Sequence, residues 1–472
     1  MRPTPLLCAL LLCATTLHAA EHWPQFRGPH GTGRADSANP PTHFGPEENV
    51  LWKTPVPSGH SSPCVWGDRL FLTAFDGAHL QTLCMEAASG KILWKADAPS
   101  ERVEPTHRIA SPASPTPATD GEFVYSYFGS FGLVAHDFSG REQWRLPLKS
   151  PVVEFGTSAS PVLADGRLYL ACDSDEGSFL TALDPRTGRT LWRTERPEFR
   201  RSFATPVLWK HSSRTELIVP GSIWLKSYDP ANGRELWTYS GTSRVACSSP
   251  AIDGEMLLSA SWNVGGDDDS RVSMEPFNTL LSTLQKPADT VLTKNDLPKG
   301  PVADRFSQMD LNKDGLITRE EWEGMRSMFA RAGNALLALR PGGSGDINTS
   351  HLAWKSTRSL PYVASPLAMD GRVFTIKNGG LASCYRTTDG TPLFQDQRID
   401  APGDYYASLV GANGRVYITS QRGILHVLAA SDQLQILNRI DLKEPVFATP
   451  ALVGDVLFLR TEGHLYAFRE PR

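Results

Sequence analysis

Residues 160–192 read SPVLADGRLYLACDSDEGSFLTALDPRTGRTLW and contain the unit from which most of the chain is built. A Ser-Pro pair opens the unit, and two apolar runs flank Asp165-Gly166, a dipeptide typical of tight turns between antiparallel strands. A third apolar run ends at Asp184, and a Gly-containing turn leads into a fourth run that ends near Trp192. This stretch therefore predicts a sheet of four short antiparallel strands.

The same unit recurs along the chain at spacings of about 41 to 52 residues. Its opening pair of a small hydroxyl residue and proline is Ser62-Pro63, Ser114-Pro115, Ser160-Pro161, Thr205-Pro206, Ser249-Pro250, Ser365-Pro366 and Thr449-Pro450, and an eighth copy, Ser408-Leu409, lacks the proline. Four strands per unit at this period are typical of a β-propeller. The sequence thus predicts an all-β fold, an eight-bladed β-propeller of four-stranded blades.

The fourth strand of most units carries a large aromatic residue four positions after a glycine. The pairs are Gly90 and Trp94, Gly140 and Trp144, Gly188 and Trp192, Gly233 and Trp237, and Gly390 and Phe394. Glycine permits the positive φ that a tight turn requires, and a ring at a fixed distance from it can pack between adjacent sheets. We therefore interpret these rings as structural.

The two ends of the repeat region are incomplete in a complementary way. Residues 49–53 (NVLWK) follow an N-terminal extension, residues 21–48, and resemble a fourth strand that has no blade before it. Residues 464–472 (HLYAFREPR) resemble a third strand with nothing after it. Pairing these two segments would close the ring and remove its open edges.

One interval breaks the period, because the prolines of two consecutive opening pairs, Pro250 and Pro366, are much further apart than those of other units. We assign residues 263–333 to a helical insertion between the second and third strands of blade five, with propeller residues 49–262 before it and 334–472 after it. Strands within a blade alternate in direction, so a loop after the second strand emerges on the same face as the connections between blades. The insertion is therefore expected over that face, near the central funnel.

Residues 310–321 of the insertion read DLNKDGLITREE, which is the pattern of a calcium-binding EF-hand loop. The predicted ligands at positions 1, 3, 5, 7, 9 and 12 are Asp310, Asn312, Asp314, the backbone carbonyl of Leu316, Thr318 and Glu321. Gly315 at position 6 allows the sharp turn. Apolar residues on both sides predict flanking helices, and Ile317 at position 8 is placed to pair with a partner loop.

The partner loop is residues 285–296, QKPADTVLTKND, which aligns by its VLT with LIT. Gln285 and Pro287 stand at its first two ligand positions, Thr290 replaces the glycine, and Asp296 is short for bidentate binding. We therefore predict one calcium site of modest affinity, supported by a decayed second hand. The acidic run at residues 265–269 (GGDDD) is interpreted as solvated charge, because three consecutive acids in a strand do not converge on one ion.

The units at residues 180–192 (LTALDPRTGRTLW) and 227–237 (SYDPANGRELW) resemble the repeats of the PQQ-like, or quinoprotein, β-propeller superfamily, which includes BamB-like propellers and quinoprotein dehydrogenases. Residues 23–33 (WPQFRGPHGTG) resemble the start of secreted BamB-like propellers with an EF-hand insertion. The resemblance implies the fold and leaves the activity open, since such repeats serve several functions.

The loops that precede the opening pair of each unit form the rim of the funnel and supply its candidate ligand-binding residues. The rim residues are His60, His107, Arg108, Glu154, Arg200, Arg201, Arg244, Tyr362, Asp404, Tyr405 and Glu444, of which we select His107, Arg108, Arg201, Arg244, Asp404 and Tyr405. Arginine and tyrosine beside carboxylates are suited to gripping a glycan or an acidic peptide. A polar rim without a dedicated ligand is the alternative interpretation.

The sequence favours a non-catalytic ligand-binding or protein-interaction scaffold over an enzyme. Quinoprotein dehydrogenases, by the resemblance, hold PQQ and Ca²⁺ in the funnel under a disulfide between adjacent cysteines, and this chain has no Cys-Cys pair. It also lacks CxxCH, GxSxG, P-loop and HExxH signatures. The alternative function is a PQQ/Ca-dependent dehydrogenase, or a carbohydrate-active enzyme that uses the funnel.

Residues 1–20 (MRPTPLLCALLLCATTLHAA) have the pattern of a cleaved secretory signal, and no later run is long enough for a transmembrane helix. We expect a periplasmic or extracellular monomer. The net charge of −4 and pI of about 6.3 disfavour nucleic acid as a partner. Cys64, Cys84, Cys172, Cys247 and Cys384 have no metal-binding spacing, and we expect buried thiols, with a Cys64–Cys84 bridge as the alternative.

Overall fold

The computed structural model describes residues 22–267, 269 and 271–471, so the proposed signal at residues 1–20 lies outside the described residues. The described chain forms eight antiparallel sheets arranged as the blades of a propeller. The strands are Val50–Pro55 (β1); Cys64–Trp66, Arg69–Phe75, Leu80–Glu86 and Ile92–Asp97 (β2–β5, blade one); Ala118–Thr119, Phe123–Phe128, Gly132–Asp137 and Glu142–Pro147 (β6–β9, blade two); Val162–Ala164, Arg167–Cys172, Phe179–Leu183 and Thr190–Glu195 (β10–β13, blade three); and Val207–Lys210, Thr215–Pro220, Trp224–Tyr228 and Glu235–Ser240 (β14–β17, blade four).

The second half of the ring continues this pattern after the insertion. Its strands are Ala251–Asp253, Met256–Ser261, Ala335–Leu339 and Leu352–Ser356 (β18, β19, β20 and β22, blade five), with the short Gly345–Asp346 (β21) between the last two; Leu367–Met369, Arg372–Lys377, Leu381–Arg386 and Pro392–Arg398 (β23–β26, blade six); Val410–Ala412, Arg415–Thr419, Ile424–Ala429 and Ile436–Asp441 (β27–β30, blade seven); and Ala451–Val453, Val456–Arg460 and His464–Phe468 (β31–β33, blade eight). β21 pairs in parallel with β17 and adds a fifth strand to blade four.

The ring is closed by strands from both ends of the chain. β1 is the outer strand of blade eight and pairs antiparallel with β33, with Trp52 opposite Ala467 and Pro55 opposite His464. The predicted closure is therefore confirmed. This pairing covers the outer edge of β33, which would otherwise be the open edge of blade eight.

The aromatic residues of the fourth strands dock onto the next blade rather than onto their own. The Trp192 indole N–H donates to the carbonyl of Pro230 at 3.1 Å, and a Cβ added to Gly233 would lie 2.4 Å from the Trp192 ring. Gly233 has a φ of 73°, so both its conformation and the space beside it require glycine. Trp94 and Trp144 dock in the same way on the turns of blades two and three.

Trp237 is the exception because blade five replaces the usual turn with a longer connection. Its indole N–H donates to the buried carboxylate of Glu216 in its own blade. Glu216 also accepts from the Arg214 Nε at 2.8 Å and contacts the His211 Nε2 at 3.0 Å. A charge-paired network thus replaces the docking of a ring on a neighbouring turn.

The insertion in blade five has a hydrophobic core of its own. Its helices are Phe277–Thr283 (α1), Phe306–Met309 (α2) and Arg319–Arg331 (α3), with 3₁₀ turns at Lys294–Asp296 and Ala303–Arg305; a further 3₁₀ turn, Pro29–Gly31, lies in the N-terminal extension. Residues such as Phe277, Ile317 and Trp322 bury their side chains in this core. The insertion's two ends meet at the propeller, where the Asn263 N–H donates to the Asn334 Oδ1 and the Asn334 Nδ2 donates to the Asn263 carbonyl, both at 2.9 Å.

Two further sequence predictions concern cysteines and membranes. The five cysteines Cys64, Cys84, Cys172, Cys247 and Cys384 are all free thiols, and burial raises the pKa of Cys84 and of Cys247 to about 12. The alternative of a Cys64–Cys84 bridge is therefore wrong. None of the helices in the described part of the chain combines the length and apolar character needed to cross a bilayer.

Candidate functional site

A cavity of about 560 Å³ lies on the propeller axis and opens on the face that carries the insertion. Its walls come from the loops that enter each blade, among them residues 60, 155, 201, 244, 362 and 447, and from Asp304, Arg305 and Gln308 of the insertion. The face is the one expected from strand direction. Cavities of this volume are of the size that small-molecule ligands occupy.

The cavity has a floor of eight hydroxyl groups, one from each blade. These hydroxyls, which we call the hydroxyl ring, belong to Ser62, Thr116, Ser160, Thr205, Ser249, Ser365, Ser408 and Thr449. Each accepts a hydrogen bond of 2.9 to 3.1 Å from the backbone N–H of the corresponding residue in the preceding blade, and the Thr449 N–H closes the circle on Ser62. The hydroxyl ring explains why a serine or threonine opens every unit.

In blade two the sequence interpretation chose the wrong pair. The stretch Ser114-Pro115-Thr116-Pro117 contains two candidates, and the hydroxyl ring uses Thr116 rather than Ser114. The Ser114 hydroxyl instead donates to the carbonyl of Ser111 at 2.7 Å, within its own loop.

The N-terminal extension closes the far end of the central channel. It bonds to inner strands on several sides of the ring, with Trp23 paired to Val65 of blade one and Arg34 paired to Gly411 of blade seven. Phe26 reaches the bottom of the cavity. Arg27 is fully buried, and its guanidinium donates to the carbonyl of Pro250 at 3.1 Å and to that of Pro366. The cavity is therefore blind and accessible only from the insertion side.

Aromatic rings line one side of the cavity. His60 stacks on Phe447 with ring centroids 4.1 Å apart, and Phe447 stacks on Tyr406 at 5.6 Å. Burial, assisted by the Arg460 guanidinium, lowers the pKa of His60 to about 3. The imidazole is therefore neutral near pH 7, so this wall, which we call the aromatic wall, presents flat uncharged faces.

Two arginines in the wall are held very differently. Arg201 donates to Glu154 at 2.6 Å and forms a two-pronged pair with Asp175, so its charge is compensated twice. Arg244 donates only to neutral amide oxygens, at 3.1 Å to Gln308 of the insertion and at 2.7 Å to Asn263. Its guanidinium also lies 5.1 Å from the centre of the Phe329 ring.

Arg244 keeps its charge despite this environment. Burial, with smaller contributions from Arg305 and Arg201, lowers the pKa of Arg244 to about 10, which still leaves it protonated at neutral pH. Its Nε–H is buried without a partner among the described residues. Arg244 is half-buried, and its hydrogen bonds among the described residues go to amide oxygens rather than to a carboxylate, which distinguishes it from Arg201.

The six selected rim residues are not brought together. Arg201 and Arg244 line the cavity, as do the other rim residues His60, Glu154 and Tyr362. His107 packs against Phe155 but does not itself line the cavity, and Arg108 and Asp404 are exposed outside the cavity. Tyr405 is buried with its hydroxyl donating to the Ala401 carbonyl at 2.6 Å, and Tyr406 lines the cavity in its place because neighbouring residues of an extended chain point to opposite sides.

Sequence reasoning missed the aromatic residues and the contribution of the insertion. Phe203 and Phe447 each stand two residues before the hydroxyl residue that opens a unit, Thr205 and Thr449, a regularity that could have marked them, whereas Phe155 stands five residues before Ser160 and has no such signal. Phe26 and Arg305 come from segments far away in the sequence, and no local pattern marks them as cavity residues.

The predicted calcium loop brings its first and last acids to the same end of the loop. Asp310 accepts from the N–H groups of Asp314 and Gly315 at 3.1 and 2.9 Å, and Glu321 accepts from those of Leu311 and Thr318 at 2.9 and 2.8 Å. Thr318 caps α3, with Glu321 completing a capping box. As placed, no three acidic, histidine or cysteine side chains of the described residues are grouped closely enough to hold a metal ion.

The chemistry of the loop nevertheless suits a hard divalent cation. Asp310, Asn312, Asp314, Thr318 and Glu321 each carry a side-chain oxygen that can bind such a cation, and Leu316 offers its carbonyl. Gly315 has a φ of 81°, the conformation that the sharp turn of such a loop needs. The residues present therefore fit calcium in kind and in order.

The second loop pairs with the first, as predicted. Leu292 and Ile317 form an antiparallel bridge. In this loop Asp296 accepts from the Lys286 Nζ at 2.8 Å, and the Lys286 hydrogen bond is the main reason why the pKa of Asp296 falls to about 2. In the acidic run at residues 265–269, Asp267 accepts hydrogen bonds from Asn334 at 2.8 Å and from Trp262 at 3.1 Å. It therefore stabilises the junction between the insertion and blade five.

Residues 83–264 match the family model described as outer membrane protein assembly factor BamB, and residues 302–325 match the EF-hand model. The chain resembles BamB-like propellers with an added EF-hand. The resemblance expected from the repeats is thus confirmed. No curated protein matches the sequence.

Solved structures share the fold at low sequence identity. BamB from Moraxella catarrhalis is 14% identical with a TM-score of 0.54, over 89% of this chain and 98% of that one. A europium-containing methanol dehydrogenase is 10% identical with a TM-score of 0.58, over 95% and 98%. A quinohemoprotein alcohol dehydrogenase from Comamonas testosteroni is 12% identical with a TM-score of 0.53, over 96% and 81%. Likeness at this level establishes the propeller fold and no activity.

Proposed function

We propose that this protein is an exported, calcium-binding β-propeller that acts as a non-catalytic scaffold and binds a ligand in its central cavity. One observation carries the proposal: the cavity is lined jointly by the blades and by the insertion, through the hydrogen bond from Arg244 to Gln308. Gln308 lies in α2, two residues before the first predicted calcium ligand, Asp310. The predicted calcium loop and the insertion's contribution to the cavity wall therefore belong to one short segment.

Calcium would be held by Asp310, Asn312, Asp314, the Leu316 carbonyl, Thr318 and Glu321. Bound there, the ion supplies positive charge that offsets the repulsion among the three carboxylates. An ordered loop fixes the end of α2, and α2 holds Gln308 against Arg244. We infer that calcium sets how firmly this side of the cavity is held.

Export is supported by two independent observations. Residues 1–20 have the composition of a secretory signal, and the matching family is described as an outer membrane assembly factor. A modest calcium affinity, in the range of extracellular modules at roughly 10⁻⁴–10⁻³ M, is consistent with an exported protein.

The test is a calorimetric calcium titration of the protein and of two variants. Glu321→Gln removes the bidentate ligand, and we expect it to abolish the single binding site. Glu320→Gln is the matched control, because it makes the same charge change at an exposed neighbour that is not a ligand. Calcium binding that survives Glu321→Gln would place the ion elsewhere and contradict the proposal.

The alternative function is a quinoprotein dehydrogenase, which is considered because the fold resembles those of a methanol dehydrogenase and a quinohemoprotein alcohol dehydrogenase. The cavity does not fit the site that this resemblance implies. Cys247 is the one cysteine among its lining residues, so no adjacent pair can form the expected disulfide. Of the two acids there, Glu154 is engaged by Arg201.

A further inference from the structure

The hydroxyl ring has hydrogen-bond donors to spare. Each hydroxyl oxygen accepts from a backbone N–H, and none of the eight donates to another residue of the described chain. All are at most 5% exposed, and all face the cavity. An O–H group at such a position gains from an acceptor, so the floor suits a ligand that carries several oxygen atoms.

Arg244 adds a requirement for negative charge. Its guanidinium is held by two neutral amide oxygens, which orient it without compensating its charge. Arg201, by contrast, is already paired with Glu154 and Asp175 and has little to offer an anion. Guanidinium groups bind carboxylates strongly because both are planar and the hydrogen bonds are charge-assisted.

The aromatic wall adds a requirement for shape. His60, Phe447 and Tyr406 stack in sequence, and Tyr362, whose ring packs edge-on against Trp262, also lines the cavity. Flat uncharged rings of this kind cover the apolar face of a ligand while its polar edge is bonded elsewhere. The wall therefore connects the charged group to the floor along one side of the cavity.

We propose that the cavity binds a sugar acid of one or two sugar units, with its carboxylate on Arg244, a ring face on the aromatic wall and its hydroxyls on the hydroxyl ring. The inference rests on the proposed function, because it names the ligand class of the same cavity. A neutral sugar would leave Arg244 uncompensated, and a simple carboxylate would leave the floor and the wall unused. The blind end at Phe26 excludes a chain that threads through the propeller, so only the end of a longer glycan could enter.

The test is calorimetry on the full protein with saturating calcium, using sodium glucuronate and sodium galacturonate as probes. Glucose and galactose are the matched neutral sugars, and acetate is the simple carboxylate. We expect a uronate to bind at one site, and each neutral sugar and acetate to bind at least about tenfold more weakly, since charge-assisted bonds and wall contacts each contribute that much.

Arg244→Gln is expected to remove the preference for the uronate over the neutral sugar. Arg422→Gln is the matched control, because Arg422 is an exposed arginine on the turn between β28 and β29 of blade seven, outside the cavity, and this change should leave every affinity unchanged. Equal binding of uronate and neutral sugar by the unmodified protein would overturn the inference, and so would the absence of binding by both uronates. Because calcium binding is titrated separately, failure of the sugar test leaves the proposed function intact, and failure of the calcium titration is recognised independently.

Discussion

The insertion contains two loops, residues 285–296 and 310–321, that share a backbone arrangement and differ in charge. They are joined by one antiparallel bridge, in which the N–H groups of Leu292 and Ile317 each donate to the other's carbonyl at 3.0 and 2.7 Å. Both loops end in a capping box, formed by Thr293 with Asp296 and by Thr318 with Glu321. Pairing and capping are thus common to the two loops.

The carboxylates of the two loops are neutralised in different ways. In residues 285–296 the carboxylate of Asp296 is bound by the ammonium group of Lys286, a cation that the chain itself supplies. In residues 310–321, Asp310 and Glu321 are bound by backbone N–H groups, and neither forms an ion pair with another described residue. The comparison shows that residues 285–296 carry an internal cation, Lys286, whereas the carboxylates of residues 310–321 have no such partner among the described residues, which supports the proposal that this loop takes a cation from solution.

The largest effect is expected from the bridge that the loops share. Leu292 and Ile317 are both fully buried, so Leu292→Ala should destabilise the insertion by about 2–5 kcal/mol through the lost burial and the cavity that remains. Hydrogen exchange of residues 306–331 should accelerate, and the calcium affinity should fall because the folded loop is less populated.

Val291→Ala is the control for this change. Val291 neighbours Leu292 but is 42% exposed, so its truncation should alter stability by no more than about 0.5 kcal/mol. If Leu292→Ala leaves the calcium affinity at the value of the unmodified protein, the second loop does not support the first, and the comparison between them loses its functional meaning.

How much of this could be predicted from sequence differs between the fold and the cavity. The unit at residues 160–192 repeats with little variation, so strand number, ring closure and the pairing of Ile317 with Leu292 follow from alignment of local patterns. The error at Thr116 arose because Ser114 offers an equivalent local pattern, and only the bonds between blades distinguish them.

The cavity was less predictable because its residues meet only in three dimensions. Arg244 was selected for its loop position, yet what distinguishes it is that its guanidinium donates to the amide oxygens of Gln308 and Asn263 rather than to a carboxylate. Tyr405 and Tyr406 are indistinguishable by composition, and the direction of each side chain is decided by packing against blade six. Charge compensation and side-chain direction are tertiary properties that a local pattern does not contain.

A smaller effect is expected from the two capping boxes. Thr318 caps the thirteen residues of α3, and its Oγ1 donates to Glu321 at 2.8 Å, so Thr318→Ala should cost about 1 kcal/mol. Thr293 caps only a three-residue 3₁₀ turn, and Thr293→Ala should cost less. Chemical denaturation followed by hydrogen exchange in the insertion would rank the two variants. The opposite order would mean that the second loop, rather than the first, holds the insertion together.

The smallest effect is expected from the internal cation, and it depends on pH. Since the Lys286 hydrogen bond lowers the pKa of Asp296 to about 2, the contribution of this pair is complete above the ordinary aspartate pKa of about 4 and is lost as the pH falls toward 2. Lys286→Met should raise the pKa of Asp296, measured by NMR titration of its carboxyl carbon, and cost no more than about 1 kcal/mol at pH 7.

Lys294→Met is the control for this last change, because Lys294 is an exposed lysine of the same loop that forms no ion pair among those found in the described chain. It should leave the pKa of Asp296 near its value in the unmodified protein. Lys286→Met should also fail to create a second calcium site, since Gln285 and Pro287 supply no carboxylate at the first two ligand positions. Two calcium ions bound by this variant would show that Lys286 alone, and not the missing ligands, distinguishes the two loops.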